Sequence, residues 1–582
     1  MPNNTFQKWL TDPYFDKATQ AELRAIADEP KEVEDRFYRH LEFGTGGLRG
    51  LLGAGTNRMN TYVIRQVTQG LAAYITSCGE AAVKRGVAIA HDSRHFSREF
   101  ALESALILAK NGIKAYVFDS LRPTPELSFA VRELGTTAGI MVTASHNPAA
   151  YNGYKVYWDD GGQITLERAN AILACIESIT DITTVHPISM DAAVERGLYQ
   201  AIGEVVDAKY LAKIKGLVIN PAVIKTMGDT CKIVYSPLHG TGNIPVRRAL
   251  AELGFKRVTV VAEQEMPDPA FSTVKSPNPE DPAAFALALK LAVAENADVA
   301  IATDPDGDRI GVAVKAAAGE YKLLTGNQTG VLITYYILSQ LAANGKLPAN
   351  GAIIKTIVTT DMVLPIAQDY GITVEQTLTG FKFIGEKIHT FEQTGAHTFL
   401  FGFEESYGYL AGTFVRDKDA VCAAVLIAEA TAYYLAHGKT LNAVLDELMA
   451  KYGYYQETLH TITLEGKTGQ AETAYLMQNI RQQAVSEFAG FQVGSIEDYL
   501  AGTGRNLADG TRYTLTLPPA DVVKFNLADG GYVVFRPSGT EPKAKIYVSL
   551  REPSLEQAVA SVERVKQSAL SLTRQILSSF ST

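Results

Sequence analysis

Three carboxylates at alternate positions are the most chemically suggestive feature of this 582-residue sequence. Asp304, Asp306 and Asp308 lie in the run DPDGDR, and on a locally extended backbone they would share one side and could hold a cation. An EF-hand is excluded, because its sixth position would be Arg309 instead of glycine and its twelfth Lys315 instead of glutamate. A solvated acidic turn is the alternative, but three carboxylates with few other ligands favour Mg²⁺, which often completes its shell with phosphate oxygens.

A serine stands in a second loop of this kind. Ser145 lies in TASHNP, where Pro148 fixes a turn that presents the hydroxyl outward, and YNGYK with Lys155 follows. A Ser-His-Asp hydrolase is disfavoured, because the GxSxG elbow is absent and His146 adjoins Ser145, a poor arrangement for a general base. An ordinary serine turn remains the alternative for the isolated residue.

Two further loops suit a phosphorylated sugar. The run GFEESYG, with Glu404 and Ser406, offers acceptors for vicinal hydroxyls. The run RPSGTEP, from Arg536, combines a guanidinium, two hydroxyls and a glycine amide, which suit a phosphate dianion. Ordinary turns are the alternatives. A glycine turn with a cation, Thr379-Gly380-Phe381-Lys382, precedes the first of them, and RDKD at residues 416–419 after it could equally be a solvated helix start.

The elements that must position these loops are short apolar strands. Runs such as AGIMV before the serine loop and ADVAIAT before the acidic loop predict buried parallel strands, with helical stretches between them. Ligands gather at the carboxyl ends of strands in such α/β sheets, so several loops could face one cleft. The last 125 or so residues change character, with two strands around RPSGTEP and then a helix, which predicts a separate α+β domain.

Composition excludes several other classes. Lys plus Arg number 54 against 63 Asp plus Glu, a net charge of −9, so no global attraction for nucleic acid or anionic lipid is expected. The two Gly-Lys-Thr runs lack the glycine that a P-loop needs five residues earlier. The four scattered cysteines predict no zinc site, and neither a signal peptide nor a membrane span is recognisable. These features predict a cytoplasmic protein.

Together the four loops resemble those of the α-D-phosphohexomutase superfamily, in the same order, from about Leu41 to about Arg551. The branch they resemble holds bacterial glucose-phosphate mutases and phosphopentomutases. The resemblance implies three related α/β domains and a C-terminal α+β domain around a central active-site cleft. With the boundaries suggested by the patterns, the expected domains are residues 1–205, 206–315, 316–455 and 456–582, which carry the phosphoserine, metal, sugar and phosphate loops respectively.

The resemblance also implies roles for individual residues. Ser145 would carry the phosphoryl group, and Mg²⁺ would be bound by its phosphate with Asp304, Asp306 and Asp308. The residues expected at the transferring phosphoryl group are His146, Lys155 as a candidate acid/base, and Arg49 in GGLRG. The residues expected to bind substrate are Arg309, Thr379, Gly380, Lys382, Glu404, Ser406, Arg536, Ser538, Gly539 and Thr540.

The implied activity is interconversion of glucose 1-phosphate and glucose 6-phosphate, with glucose 1,6-bisphosphate as intermediate and activator. The FEESYG loop is the glucose-leaning form, unlike the GEMSG-type loop of the mannose-tolerant branch. Two other activities remain alternatives: interconversion of the 1- and 5-phosphates of ribose or deoxyribose, and synthesis of glucose 1,6-bisphosphate. A non-catalytic phosphosugar-binding protein is an alternative of another class. The expected partner is a small sugar phosphate, and no pattern predicts an oligomeric state.

Overall fold

The structure is a computed structural model that describes residues 2–44, 46–316, 319–464, 469–538 and 543–580. Within these ranges four β-sheets follow one another along the chain, with helices packed against them. The first three sheets belong to α/β domains and the fourth to a C-terminal domain rich in strands. This arrangement confirms the predicted fold class.

The first domain carries the serine loop on a six-stranded sheet. Its strands are β1 (Gly47–Leu51), β2 (Val87–His91), β3 (Ala115–Phe118), β4 (Ala138–Val142), β5 (Tyr151–Trp158) and β6 (Tyr199–Ile202), in the order β1-β5-β4-β2-β3-β6. Its helices are α1 (Pro2–Thr11), α2 (Lys17–Ala25), α3 (Pro30–Phe37), α4 (Thr61–Ser77), α5 (Glu80–Arg85), α6 (Ser97–Lys110), α7 (Thr124–Leu134), α8 (Leu166–Glu177) and α9 (Met190–Glu195), with a 3₁₀ helix at Ile182–Thr184. Strands β2 and β4 are parallel and buried throughout, as expected where both faces of a sheet are covered.

The second domain carries the acidic loop on a five-stranded sheet. Its strands are β7 (Lys232–Ser236), β8 (Arg257–Val260), β9 (Val299–Thr303), β10 (Ile310–Lys315) and β11 (Tyr321–Leu323), in the order β11-β10-β9-β7-β8. Its helices are α10 (Glu204–Lys215), α11 (Pro221–Met227), α12 (Asn243–Leu253), α13 (Ala262–Glu265) and α14 (Pro282–Glu295). Strand β11 pairs with β10, although the predicted third domain began at residue 316. A three-residue strand carries too short a pattern to be recognised in the sequence.

The third domain carries the sugar loop on a four-stranded sheet of order β13-β12-β14-β15. Its strands are β12 (Gly351–Thr356), β13 (Thr373–Thr377), β14 (Thr398–Glu404) and β15 (Gly408–Ala411). Its helices are α15 (Gly326–Ala343), α16 (Val363–Asp369), α17 (Phe381–Thr394), α18 (Ala420–Ala436) and α19 (Leu441–Tyr452). Among the described residues no single helix is long and apolar enough to cross a bilayer; α18 and α19 pass that test only as a pair, bent by 86°.

The fourth domain is built on an antiparallel sheet that presents the phosphate loop. Its strands are β16 (Tyr454–Thr463), β17 (Glu487–Phe488), β18 (Phe491–Asp498), β19 (Thr503–Asn506), β20 (Arg512–Thr514), β21 (Val523–Leu527), β22 (Gly531–Pro537) and β23 (Lys543–Glu552). Its helices are α20 (Gly469–Gln482) and α21 (Leu555–Ser578). Strands β22 and β23 flank the phosphate loop, as predicted from the sequence.

The third and fourth domains share a small apolar core that includes Ile357, Val358 and Tyr532. The hydroxyl of Tyr532 donates to the carbonyl oxygen of Val358 at 2.7 Å, and Lys524 Nζ donates to that of Ile357 at 3.1 Å. These contacts attach the sheet of the fourth domain to the segment that follows strand β12. The sheet that carries Arg536 is thereby held against the third domain.

Glu457, on strand β16, gives this interface a pH dependence. Burial raises the pKa of its carboxyl to about 7, although the nearby polar side chains of Thr360 and Asn327 in the third domain act to lower it. The folded protein therefore keeps a proton that the unfolded chain loses near the usual value of 4.5. The free energy of unfolding must fall as the pH rises from that value through 7.

Replacing this carboxyl by its neutral mimic should remove that dependence. At pH 8 we expect Glu457→Gln to increase the free energy of unfolding by on the order of 2 kcal/mol, and at pH 5 to leave it close to that of the native chain. Thermal melting at both pH values checks the difference. Glu556→Gln, at an exposed position of helix α21, is the control and should show no such change. Equal effects of Glu457→Gln at both pH values would contradict the prediction.

Candidate active site

Ser145 stands in a turn whose backbone is left-handed. It follows strand β4 with a φ of 53°, a conformation that is strained for any residue but glycine. Its N–H donates to Thr143 Oγ1 at 2.9 Å, and its Oγ donates to Asp304 Oδ2 at 3.1 Å. The serine hydroxyl of the first domain is therefore aimed at the acidic loop of the second.

His146 contacts the same hydroxyl, although adjacency in the chain argued against such a pair. The left-handed turn brings His146 Nδ1 to 3.2 Å from Ser145 Oγ. The expectation that neighbours in the chain could not make this contact is therefore wrong. Burial, with the guanidiniums of Arg309 and Arg49, lowers the pKa of His146 well below its usual range. The imidazole is therefore neutral at neutral pH, with one nitrogen as donor and the other as acceptor.

The acidic loop is a tight turn and not the extended segment predicted from its alternating carboxylates. Asp304 Oδ1 accepts the backbone N–H groups of Asp308 at 3.1 Å and of Arg309 at 3.0 Å, so the loop curls around this carboxylate. Gly307 takes a φ of 64° at the reversal, a value that favours glycine. The curl places oxygens of Asp304, Asp306 and Asp308 within 4.8 Å of one another, and all three residues are buried.

The surrounding protein occupies one oxygen of two of these carboxylates. Asp306 Oδ2 accepts from Lys155 Nζ at 2.7 Å and from Thr124 Oγ1 at 2.9 Å. Asp308 Oδ2 lies 3.1 Å from Lys418 Nζ. The other oxygens, Oδ1 of Asp306 and Oδ1 of Asp308, are buried and have no hydrogen-bond partner in the described part of the chain. Buried carboxylate oxygens need a partner, and this donor set fits a divalent cation with oxygen ligands.

Two partly buried lysines, Lys155 and Lys418, balance the charge of the acidic loop. Burial alone would lower the pKa of Lys155 and of Lys418, but the carboxylates of Asp306 and Asp308 raise the first and Asp308 raises the second. Both side chains are therefore ammonium ions that can donate to a phosphate oxygen. Burial, together with Asp306 and Asp308, raises the pKa of Asp304 well above its usual range.

Arg309 joins the acidic loop to the sugar loop. Its Nη1 donates to Glu280 Oε1 at 2.7 Å and to the carbonyl oxygen of Ser406 at 3.1 Å. Lys418 packs against Gly408, where a Cβ atom would come within 2.1 Å of the lysine Cδ, so a larger residue would displace the lysine. The second and third domains thus meet where Arg309 donates to the carbonyl oxygen of Ser406.

The glycine turn before helix α17 contacts Glu404. The N–H of Gly380 donates to Glu404 Oε1 at 2.8 Å, and burial raises the pKa of the Glu404 carboxyl. In the same turn, Thr379 Oγ1 is buried and makes no hydrogen bond to any described residue. Lys382 Nζ lies 5.3 Å from the ring centre of Phe383, and burial lowers its pKa to about 8. The turn therefore offers a hydroxyl and an amine whose charge is easily changed.

The phosphate loop is described in part. Ser538 N–H donates to the carbonyl oxygen of Lys543 at 2.7 Å, which closes the base of the loop. Arg536 is placed opposite Lys545 in the register of β22 and β23. Gly539 and Thr540 lie outside the described residues. Two cations of the fourth domain therefore stand side by side at the loop.

Glu405 follows Glu404 in the sugar loop and is held by two threonines of the third domain. Its Oε2 accepts from Thr359 Oγ1 at 3.3 Å and from Thr356 Oγ1 at 3.4 Å. Burial and Glu404 raise the pKa of this carboxyl to about 7, and the nearby guanidinium of Arg536 acts in the opposite direction. Arg536 thus lies beside the end of the sugar loop.

Arg49 lies on strand β1, next to the strand that carries Lys155. Its side chain is exposed, and its Nη1 donates to Asn147 Oδ1 of the serine loop at 3.0 Å. The structure therefore brings Ser145 and its predicted neighbours into one group. The members are Ser145, His146, Lys155, Asp304, Asp306, Asp308, Arg49 and Arg309. Among the described residues, Arg536 and Ser538 make no hydrogen bond or ion pair with that group.

Comparisons with known proteins agree with this geometry. Sequence models of the phosphoglucomutase/phosphomannomutase family match three successive segments of the chain: α/β/α domain I at residues 40–183, domain II at 208–319 and domain III at 325–452. The chain belongs to this family. The resemblance to the α-D-phosphohexomutase superfamily is thereby confirmed.

Curated relatives of this chain include phosphoglucomutases. The phosphoglucomutase of Staphylococcus aureus strain USA300 is 35% identical over 554 residues, which cover 94% of this chain and 97% of the relative. That of strain MSSA476 is 36% identical over 543 residues, or 92% of this chain and 95% of the relative. These relatives are phosphoglucomutases, which confirms the prediction of a phosphotransferase of the mutase type.

Solved structures share the fold. A phosphoglucomutase/phosphomannomutase family protein from Burkholderia thailandensis has a TM-score of 0.65 at 19% identity and covers 91% of this chain and 97% of its own. The phosphoglucomutase parafusin of Paramecium, in its open form, has a TM-score of 0.67 at 16% identity, with 93% and 96% covered. At these identities the likeness concerns the fold alone.

Lys418 lies in the candidate active site, but the sequence analysis did not predict it there. The run RDKD was open to interpretation as a solvated helix start, yet Arg416 and Asp419 are fully buried. Asp419 caps the N-terminus of helix α18, where its side chain accepts from the N–H groups of Val421 and Cys422, but its neighbour Lys418 faces the acidic loop. Alternating opposite charges after the sugar loop were the signal that could have found it.

Left-handed backbone at residues other than glycine is a second feature that the sequence did not reveal. Eight described residues other than glycine have φ between 45° and 65°, and five of them are Ser145, Leu238, His239, Phe271 and Tyr407. These five belong to segments that contact the serine or acidic loop, for example through the N–H of Thr241 to the carbonyl oxygen of Pro305 and through Ser276 Oγ to that of His146. Such strain persists only where the surrounding structure holds it, and it is concentrated at functional sites.

Proposed function

We propose that this protein interconverts glucose 1-phosphate and glucose 6-phosphate through a phosphoserine at position 145 and a glucose 1,6-bisphosphate intermediate. The observation that carries the proposal is the 3.1 Å contact between Ser145 Oγ and Asp304, within a cluster of three buried aspartates. A hydroxyl next to a cation site suits transfer of a phosphoryl group without a nucleotide. A cytoplasmic location stays part of this proposal.

Mg²⁺ would be held by Asp304, Asp306 and Asp308 together with the phosphate on Ser145. The bound cation would supply charge stabilisation to the phosphoryl oxygens. Two carboxylate oxygens of the cluster lack hydrogen-bond partners among the described residues, which supports this assignment. The protonated Lys155 and Lys418 stand at the same carboxylates and would neutralise the remaining charge.

The residues of the chain account for the transfer itself. The bond between phosphorus and Ser145 Oγ breaks as a bond to a sugar hydroxyl oxygen forms, and the hydroxyl proton passes to a basic group. Lys155, already an ammonium, can give a proton to the serine oxygen and then take up the proton that the sugar hydroxyl releases. Because the serine hydroxyl donates to Asp304, the Nδ1–H of neutral His146, 3.2 Å from the serine oxygen, donates a hydrogen bond to that oxygen. Arg49 and Arg309 would flank the transferred phosphoryl group and donate to its oxygens.

Substrate orientation would be set by the other two loops. Arg536, Ser538, Gly539 and Thr540 are proposed to hold the phosphate that is not transferred. Glu404 and Ser406, with Thr379, Gly380 and Lys382 nearby, are proposed to bind sugar hydroxyls. Because the bisphosphate must turn round between the two half-reactions, one fixed phosphate site and adaptable hydroxyl contacts serve both orientations.

The choice of glucose is supported by the FEESYG loop and by the phosphoglucomutase relatives. Turnover of glucose 1-phosphate, mannose 1-phosphate and ribose 1-phosphate should be compared with Mg²⁺ and glucose 1,6-bisphosphate present. We expect the highest kcat/KM for glucose 1-phosphate. A higher value for ribose 1-phosphate would establish the pentose alternative, sustained net bisphosphate production would establish the synthase, and binding without turnover would establish a binding protein.

Arg536→Ala tests the phosphate site. Hydrogen bonds to a charged group contribute about 1.5 to 3 kcal/mol each, so we expect KM for glucose 1-phosphate to rise about 10- to 100-fold, with a smaller change in kcat. Steady-state kinetics measure both constants. Arg512→Ala, at an exposed position of the same domain, is the matched control and should leave KM unchanged. An unchanged KM in Arg536→Ala would remove this residue from the phosphate site.

A further inference from the structure

Arg94 holds most of the backbone of the serine loop. Its Nη2 donates to the carbonyl oxygens of Ser145 and Asn147, each at 2.5 Å. Its Nη1 donates to those of Pro148 at 2.9 Å and Tyr151 at 3.1 Å. A charged donor forms stronger hydrogen bonds than a neutral one, and the fork of a guanidinium reaches several acceptors at once. The path of the loop from residue 145 to residue 151 therefore depends on this side chain.

Asp92 orients the guanidinium and reaches the serine by a second route. Its Oδ2 lies 3.2 Å from Arg94 Nε, and both side chains are fully buried. The same oxygen accepts from Thr143 Oγ1 at 2.6 Å, while Oδ1 accepts from Ser97 Oγ at 2.6 Å. Thr143 Oγ1 in turn accepts the N–H of Ser145 at 2.9 Å. A continuous chain of hydrogen bonds thus runs from Asp92 to the backbone of the serine.

The second domain covers the other side of this arrangement. The guanidinium of Arg94 lies 4.9 Å from the ring centre of Phe271, a favourable distance for a cation over an aromatic face. Ser276 Oγ, from the same segment, donates to the carbonyl oxygen of His146 at 2.7 Å. The serine loop is therefore held between Arg94 on one side and a segment of the second domain on the other.

We propose that Arg94, oriented by Asp92, is a positioning residue that keeps Ser145 in its left-handed conformation and so aims Oγ at Asp304. The proposal rests on the proposed function, because it concerns the hydroxyl that would carry the phosphoryl group. Without these contacts the strained backbone at φ 53° would relax and move Oγ away from the acidic loop. Arg94 itself contacts the backbone of the loop and Asp92, not the serine hydroxyl.

The first test replaces only the guanidinium group of Arg94. Arg94→Lys keeps the charge, but one ammonium cannot donate to four separate carbonyl oxygens. We expect kcat for glucose 1-phosphate to fall about 100-fold, since misplacement of a reacting atom by about 1 Å has that effect, while KM changes less than about threefold. Arg58→Lys is the matched control: Arg58 is also buried and donates to a carbonyl oxygen and to Asp35, but it belongs to the N-terminal segment. Its kcat should remain native.

A second readout does not need activity. Hydrogen–deuterium exchange in the substrate-free protein reports on the amides of residues 143–151. We expect faster exchange there in Arg94→Lys and native exchange in Arg58→Lys. Native exchange together with a kcat within about threefold of native in Arg94→Lys would overturn the proposal. If native Ser145 carried no phosphoryl group, the proposed function would fail, and the exchange result would still judge the positioning role.

Variants of Thr143, which links Asp92 to the backbone of Ser145, test the proposal even if Arg94→Lys does not fold. Thr143→Val keeps the shape but removes both hydrogen bonds of the hydroxyl, whereas Thr143→Ser keeps them. We expect Thr143→Val to lower kcat about tenfold with KM little changed, and Thr143→Ser to restore it. Equal and native kcat values for the two variants would contradict the route from Asp92 to Ser145.

Discussion

Ser145→Ala is expected to lower turnover of glucose 1-phosphate by about 10⁴-fold or more, because loss of a covalent nucleophile has effects of this size or larger. The substitution removes only Oγ, which makes the contact with Asp304 and with His146. The left-handed backbone and the hold of Arg94 on the carbonyl oxygen do not involve this atom. The variant should therefore fold and bind substrate while failing to transfer the phosphoryl group.

Intact mass and peptide mapping check the chemical basis of this result. After incubation with glucose 1,6-bisphosphate, the native chain should carry one phosphoryl group at Ser145, and the variant none. Ser93→Ala is the matched control, since Ser93 belongs to the neighbouring loop and its Oγ is buried without a hydrogen-bond partner among the described residues. It should keep both turnover and the label. Full turnover in Ser145→Ala would end the phosphoserine proposal.

Asp306→Ala is expected to lower turnover about 10³-fold and to abolish binding of a divalent cation. Asp306 contributes a buried oxygen without a hydrogen-bond partner in the described structure, and its second oxygen binds Lys155 and Thr124. The residue lies in a loop beyond strand β9, so the sheet should survive the change. The effect should therefore concern the cation and not the fold.

Calorimetric titration with Mg²⁺ and paramagnetic resonance with Mn²⁺ measure binding directly. Asp298→Ala is the matched control, because Asp298 precedes the same strand β9 at its opposite end and accepts from the N–H of Lys232. It should keep cation binding and turnover. A chelator should reduce the native enzyme to the level of Asp306→Ala, and added Mg²⁺ should restore it. Native cation affinity in Asp306→Ala would refute the proposed ligand set.

Much of the site could be predicted because its residues are clustered in short runs. DPDGDR, TASHNP, GFEESYG and RPSGTEP each carry their chemistry within seven residues or fewer, directly after apolar runs. Strands β4 and β9 were likewise recognisable, since every residue in them is buried and the runs are apolar. Residue type and short-range periodicity are local properties, so they can be read without knowledge of distant contacts.

Other features depend on residues far apart in the chain. Lys418 meets Asp308 only because the third domain packs on the second, and Arg94 meets the serine loop across 51 positions of sequence. The tight turn of the acidic loop and the left-handed serine also differ from the local expectation, because hydrogen bonds to Asp304 and Arg94 override it.

The sequence by itself determined the class of fold, the four loops and the type of chemistry, because these follow from residue types at short spacing. Only the tertiary structure decided the direction of the serine hydroxyl, the cations that balance the aspartates and the residues that hold the serine loop. The physical reason is that a buried charge or a strained backbone is stable only with partners, and the stacking of the domains selects those partners.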